Sequence, residues 1–183
     1  MDLSRLSRTV LRPGIVAALA CLLSACWLSE KPLLTAKTAS GVDFTGTYRA
    51  LGEEERSDLV ISTRGKHAYE VRQGEEKIST RYLKLRGDWY LAQYKGKDEE
   101  ERDDEVVYLY QPMRAVSGRL YMYSADCDDT PGEFRGMKRE KGACSFTSLD
   151  GLKAAALAFI GRIEKGEIAD DPQVWVKVSV TRH

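Results

Sequence analysis

The chain has 183 residues and a formal net charge of +0 at pH 7, with 28 basic and 28 acidic side chains. This length predicts one domain, and a hydrophobic fraction of 43% with a charged fraction of 31% is typical of a soluble globular protein. The balanced charge leaves no strong basic field, so nucleic acid is not an expected partner.

The first residues depart from this globular composition. Arg5, Arg8 and Arg12 form a basic start, and residues 15–25 are an uncharged, mostly apolar stretch. A helix that crosses a bilayer needs roughly 20 apolar residues, which is more than this stretch provides. A basic start, a short apolar core and small residues at its end predict a secretory signal peptide over residues 1–25.

The end of this segment reads Leu-Ser-Ala-Cys at residues 23–26. It resembles the bacterial lipobox, in which an aliphatic residue and two small residues precede a lipidated cysteine. The resemblance implies cleavage before Cys26, diacylglycerol on its sulfur and acylation of the new amino group, typically with palmitate. In lipoproteins of Gram-negative bacteria, Asp after the lipidated cysteine favours the inner membrane, so Trp27 implies an outer-membrane anchor facing the periplasm; a Gram-positive host is an alternative. The alternative is a plain secretory signal with an accidental cysteine.

The lipobox resemblance also implies a role for each of the four cysteines. It places Cys21 in the removed segment and lipid on Cys26, which leaves Cys127 and Cys144 in an oxidising compartment. We therefore expect a disulfide between these two. The alternative is a redox or metal pair, although their separation is unlike C-x-x-C.

Residues 26–42 are predicted to form the lipidated N-terminus and a tether, because Lys, Ser, Thr and Ala recur without a sustained period. In the alternative, Leu33 and Leu34 pack on the domain as a first strand. Residues 43–183 are expected to form a single β-rich domain.

Short β patterns separated by turn residues fill most of this domain. Glycine-containing turns divide the runs at intervals of about 8–12 residues, which predicts an antiparallel meander in a barrel or sandwich. The predicted strands are 45–51, 58–63, 67–72, 77–85, 89–94, 106–111 and 119–124.

One helix and one strand are predicted at the end. Residues 147–150 match a capping box, apolar residues follow at helical spacing, and Gly166 is a suitable left-handed terminator. Residues 174–180 then alternate as a strand. This order resembles calycin-type barrels, whose opening Gly-x-Trp is similar to Gly-Thr-Tyr at residues 46–48; the resemblance implies the fold alone.

Tyrosines form the candidate binding site. Within each of three strands two tyrosines share a face, and adjacent strands could join them into one surface suited to a ligand or protein partner. The alternative is cross-strand packing that stabilises the sheet. The six residues are Tyr90, Tyr94, Tyr108, Tyr110, Tyr121 and Tyr123.

Two acidic segments are candidate cation sites. Residues 96–105 carry seven acids and residues 126–129 carry three. A solvated loop explains the first and a turn explains the second, so no metal and no cofactor are expected.

These patterns predict a non-catalytic, lipid-anchored envelope protein. Its expected partners are the membrane, through lipid on Cys26, and an envelope protein or a small apolar ligand bound at a Tyr-rich sheet face. The alternatives are an inhibitor of a periplasmic hydrolase, a carrier of an apolar ligand and, less favoured, an enzyme whose site is assembled from distant strands.

Overall fold

The computed structural model describes residues 27–53, 56–97, 106–140, 142–169 and 171–178. The predicted signal peptide and Cys26 lie outside these residues. The elements in chain order are β1 (Trp27–Ser29), β2 (Gly46–Ala50), β3 (Leu59–Gly65), β4 (Ala68–Gln73), β5 (Glu76–Arg86), β6 (Trp89–Lys97), β7 (Val106–Val116), β8 (Arg119–Met122), β9 (Met137–Glu140), β10 (Ala143–Phe146), α1 (Leu149–Glu164) and β11 (Gln173–Lys177).

Eight antiparallel strands form a closed barrel. The strands β2 to β8 follow one another around it, β11 lies between β8 and β2, and all eight neighbouring pairs are antiparallel. The prediction of a mainly β fold with one helix before a final strand is confirmed. Because the pairing of β6 with β7 closes the sheet, the fold is a barrel and not a sandwich.

Side chains fill the barrel because successive residues of a strand point to opposite faces. In β6, Tyr90, Ala92 and Tyr94 point inward, whereas Trp89 and Leu91 point outward. We call the inward set the interior core. Its buried residues are Phe44, Tyr48, Ala50, Leu59, Ile61, Tyr69, Val71, Tyr82, Ala92, Tyr94, Leu109, Met113, Leu120, Met122 and Trp175.

The helix α1 covers the outer face of β5, β6 and β7. Its apolar stripe packs on the outward residues of these strands, and we call this second cluster the outer core. Ser148 caps the helix by accepting a hydrogen bond from the Gly151 amide. Gly166, at φ 69°, ends it as the sequence predicts. None of the helices within the described ranges is long and apolar enough to cross a bilayer.

The structure differs from the predicted tether over residues 27–42. The strand β1 is hydrogen-bonded between β7 and β10. The side chains of Trp27 and Leu34 are fully buried, and Ser29 is 1% exposed. A three-residue strand is too short to produce a detectable period, so composition alone favoured a tether here.

A hairpin of β9 and β10, which the sequence pattern does not predict, extends the sheet beyond β1. The residues of β9, Met-Lys-Arg-Glu, are mostly exposed and carry no hydrophobic alternation. The hairpin also brings Cys144 to Cys127. These residues form the expected disulfide, with their Cα atoms 5.3 Å apart.

Candidate functional site at the barrel mouth

The structure divides the six candidate tyrosines between two faces. Tyr90 and Tyr94 point into the barrel, whereas the other four belong to the outer core or pack against it. Strand register explains the division, because directly opposed residues share a face and Tyr94 lies opposite Leu109, one position away from the Gln93–Tyr110 pair. Each tyrosine pair shares a face of its own strand, but the six do not form one surface.

On the outer side, Tyr110 and Gln93 belong to a closed hydrogen-bond network. The Tyr110 hydroxyl donates to Gln93 Oε1 (3.1 Å), accepts from the Leu33 amide (3.1 Å) and bonds to Ser29 (2.7 Å). Gln93 in turn bonds both the amide (2.7 Å) and the carbonyl (3.1 Å) of Leu34. Burial raises the pKa of Tyr110 to about 12. This network holds the N-terminal segment against the barrel.

The interior face carries the same residue types without partners. Tyr94 and Gln111 are 3% and 7% exposed. Neither the Tyr94 hydroxyl nor Gln111 Oε1 has a hydrogen-bond partner among the residues that the structure describes. Burial raises the pKa of Tyr94, so its phenol is neutral at physiological pH. An unpaired buried polar group costs about 1–3 kcal/mol, which a bound group or water would offset.

Two further polar groups line the interior beside Tyr94. Thr80 lies directly across from Tyr94 on β5, and its hydroxyl and that of Tyr82 also lack partners. By contrast, the Tyr48 hydroxyl donates to the Phe44 carbonyl at 3.0 Å. Unpartnered oxygens are therefore concentrated along β5, β6 and β7.

Tyr94 and Gln111 line a cavity that opens at one end of the barrel, which we call the mouth. Its volume is about 30 Å³, enough for one or two water molecules or a small polar group. Apolar side chains including Leu59, Val71 and Met122 form part of its wall, and Glu76 contributes a carboxylate.

Arg56 and Trp175 form one side of the mouth. The Arg56 guanidinium lies 5.4 Å from the centre of the Trp175 ring and bonds Glu53 at 2.7 Å. The Trp175 indole donates to Gln173 Oε1 at 3.2 Å. Because the arginine is paired with a carboxylate and packed on an aromatic face, it presents no free positive charge at the mouth.

A groove of about 350 Å³ adjoins the mouth and shares Gln111, Met122 and Gln173 with it. Leu51 lines the groove and is 63% exposed. Asp171 also lines it, as does Glu53. An exposed leucine beside acidic groups suits contact with a basic, partly apolar segment of another protein.

A separate groove of about 300 Å³ lies on the outside of the barrel, against residues 32–36. Arg81 and Lys95 line it. Its buried amide, Gln93, is already bonded to Leu34.

Histidine, cysteine and acidic residues are the candidates for catalytic or metal-binding groups. Among the described residues, no three His, Cys, Asp or Glu side chains are arranged to hold a metal ion. His67 occupies the turn between β3 and β4, at the opposite end of these strands from Leu59 and Gln73, which line the mouth. Its Nδ1 has no hydrogen-bond partner in the described ranges.

Comparisons with protein-family models, with curated proteins and with solved structures found no significant match.

Proposed function

We propose that the protein is a lipid-anchored, non-catalytic binding protein of the bacterial cell envelope. Its barrel mouth and the adjoining groove take a basic, partly apolar segment of a partner protein. The observation that carries this proposal is the pair of buried, unpartnered oxygens on Tyr94 and Gln111 at an open mouth.

The hydrogen-bonding chemistry defines what enters the mouth. Gln111 Oε1 needs a donor, and the Tyr94 hydroxyl can donate or accept. A small side chain that carries an N–H or O–H group, such as an amide or a hydroxyl, satisfies both. Water fills the same positions when no partner is bound.

Charge defines the kind of partner. Asp171 and the exposed Leu51 both line the groove, and Glu53, which also lines it, is paired with Arg56. Residues 98–105, which follow β6 in the sequence and lie outside the described residues, carry seven acids and one arginine. Such a concentration of negative charge accelerates encounter with a basic protein and weakens as salt increases.

The other predicted functions receive less support. Pockets that enclose an apolar ligand typically have volumes of about 300–1,000 Å³, well above the mouth cavity at about 30 Å³. An inhibitor of a basic periplasmic hydrolase is one form of the proposed partner binding. An enzyme with a site assembled from distant strands remains the least favoured alternative.

Site-specific crosslinking in cells tests the partner proposal. A photoreactive amino acid at Leu51 should give a discrete adduct with a protein of basic surface, and Gln111→Leu should reduce its yield. The control position is Leu157, which is 36% exposed on α1. The same adducts from both positions, or an adduct that Gln111→Leu leaves unchanged, would contradict binding at the mouth.

The lipid anchor has a separate test. Cys26→Ser should abolish labelling by a fatty-acid probe and leave the precursor unprocessed. Processing at an ordinary signal-peptidase site in wild-type protein, with a free Cys26 thiol, would contradict the anchor and leave the mouth proposal standing.

A further inference from the structure

We infer that the folded domain lies directly against the phospholipid headgroups, with the disulfide loop facing the bilayer. We define the disulfide loop as residues 127–140 together with 142–144. This inference rests on the proposed lipid anchor at Cys26 and adds the orientation in which that anchor holds the barrel.

The first observation is that the residue after the proposed anchor is immobilised. Trp27 is 0% exposed, and its indole donates to the Thr130 hydroxyl at 2.8 Å. Its ring makes edge contacts with Phe146 and Phe159, at centroid distances of 5.8 and 5.7 Å. Consecutive Cα atoms are about 3.8 Å apart, so there is no spacer between the lipidated residue and the folded domain.

The second observation identifies the surface beside this attachment point. Trp27 pairs in parallel with Cys144 on β10, and it bonds Thr130. Both partners belong to the disulfide loop. Any bilayer that holds lipid on the preceding residue therefore lies next to this loop.

The disulfide loop is stiff enough to serve as a contact surface. The Cys127–Cys144 bond closes it. The Arg139 guanidinium bonds three of its carbonyls, those of Cys127, Thr130 and Gly132. The helix packs closely on it, since a Cβ at Gly151 would lie 1.9 Å from the Arg135 carbonyl oxygen.

The exposed charges of the loop are of both signs. The three exposed acids and the three exposed bases balance, so no strong net attraction to anionic lipid is expected. The exposed charged residues are Asp128, Glu133, Arg135, Lys138, Arg139 and Glu140. The lipid chains thus supply the affinity, and the short attachment at Trp27 sets the orientation.

Fluorescence quenching by a nitroxide at the lipid headgroup tests the orientation. The acylated mature protein carries one fluorescent label at Glu133→Cys and is reconstituted in phosphatidylethanolamine–phosphatidylglycerol vesicles that contain a headgroup nitroxide lipid. The matched control label is at Lys66→Cys, an exposed position in the β3–β4 turn. We expect a several-fold larger quenching constant at position 133 than at position 66.

A variant with a spacer tests whether the short attachment at Trp27 sets the orientation. Insertion of about ten Gly and Ser residues between Cys26 and Trp27 gives a flexible tether and should abolish the difference while the protein still floats with vesicles. Equal quenching at both positions in floating, spacer-free protein would overturn the orientation. Failure of the acylated protein to float with vesicles would instead contradict the anchor on which it rests.

Discussion

Two Gln–Tyr pairs on the same two strands behave in opposite ways. Gln93 and Tyr110 lie directly opposite each other on the outer face of β6 and β7. There they are hydrogen-bonded to each other and to the backbone of Leu33 and Leu34. Tyr94 and Gln111 follow at the next position of each strand and face the interior, where Tyr94 Oη and Gln111 Oε1 have no partner within the described part of the chain. A shift of one residue along a strand therefore separates a structural network from an open site.

This contrast indicates what each face does. The outer pair bonds the backbone of Leu33 and Leu34 and so holds the N-terminal segment on the barrel. The interior pair holds nothing within the described chain, although its groups are equally polar. Removal of the polar group of Gln93 or Tyr110 should therefore reduce the stability of the fold, whereas removal of the polar group of Gln111 should reduce partner binding.

The largest expected effect on stability comes from Trp27, which packs on the outer side of the barrel. Trp27→Ala should lower the free energy of unfolding by about 3–5 kcal/mol, because it removes a fully buried ring and leaves a cavity. Urea unfolding of the mature domain measures it. The control is Leu157→Ala at a partly exposed helix position, which should change stability by about 0.5 kcal/mol or less. Equal effects of the two variants would contradict the close docking of β1.

The disulfide should make the next largest contribution. Replacement of both Cys127 and Cys144 by Ala should lower stability by about 3 kcal/mol, because it frees the loop in the unfolded state. Urea midpoints for the variant and for the oxidised protein measure the difference. Unchanged midpoints would show that the close packing of the loop on α1 suffices without the bond.

Matched glutamine variants test the comparison directly. Gln93→Leu should cost about 1–3 kcal/mol, because the amide and carbonyl of Leu34 then lose their buried partners. The unfolding free energies of Gln93→Leu and Gln111→Leu are to be measured side by side. A larger loss for Gln111→Leu would reverse the roles assigned to the two faces.

Alkaline pH should weaken the outer network. The hydroxyl of Tyr110 has a pKa of about 12 in the folded protein and an ordinary value near 10 when unfolded. Its contribution is complete below pH 10 and is lost as pH rises toward 12, because only the unfolded chain then releases the proton. Tyr110→Phe should make the decline of stability over this window shallower, and an unchanged slope would contradict the assignment.

The smallest expected effect on stability is at the mouth. Gln111→Leu should leave the unfolding free energy within about 0.5 kcal/mol of wild type or raise it, because it removes a buried oxygen that has no partner. The same variant should weaken partner crosslinking at Leu51. A loss of stability without a loss of crosslinking would assign Gln111 to the fold and not to binding.

Much of the fold could be predicted from the sequence because its signals are local. Alternating apolar residues and turn glycines located the barrel strands. The capping residues and Gly166 located the two ends of α1. The short strands β1, β9 and β10 were missed, since three or four residues with polar neighbours define no period.

The sequence by itself determined the barrel strands, the helix and, with the lipobox resemblance, the pairing of Cys127 with Cys144. Only the tertiary structure decided that Tyr94 and Gln111 face the interior while Tyr110 and Gln93 face the N-terminal segment. It also decided that Trp27 is buried. The physical reason is that side-chain direction has a period of two along a strand, so the face that a residue occupies depends on strand register and closure, which involve residues far apart in the chain.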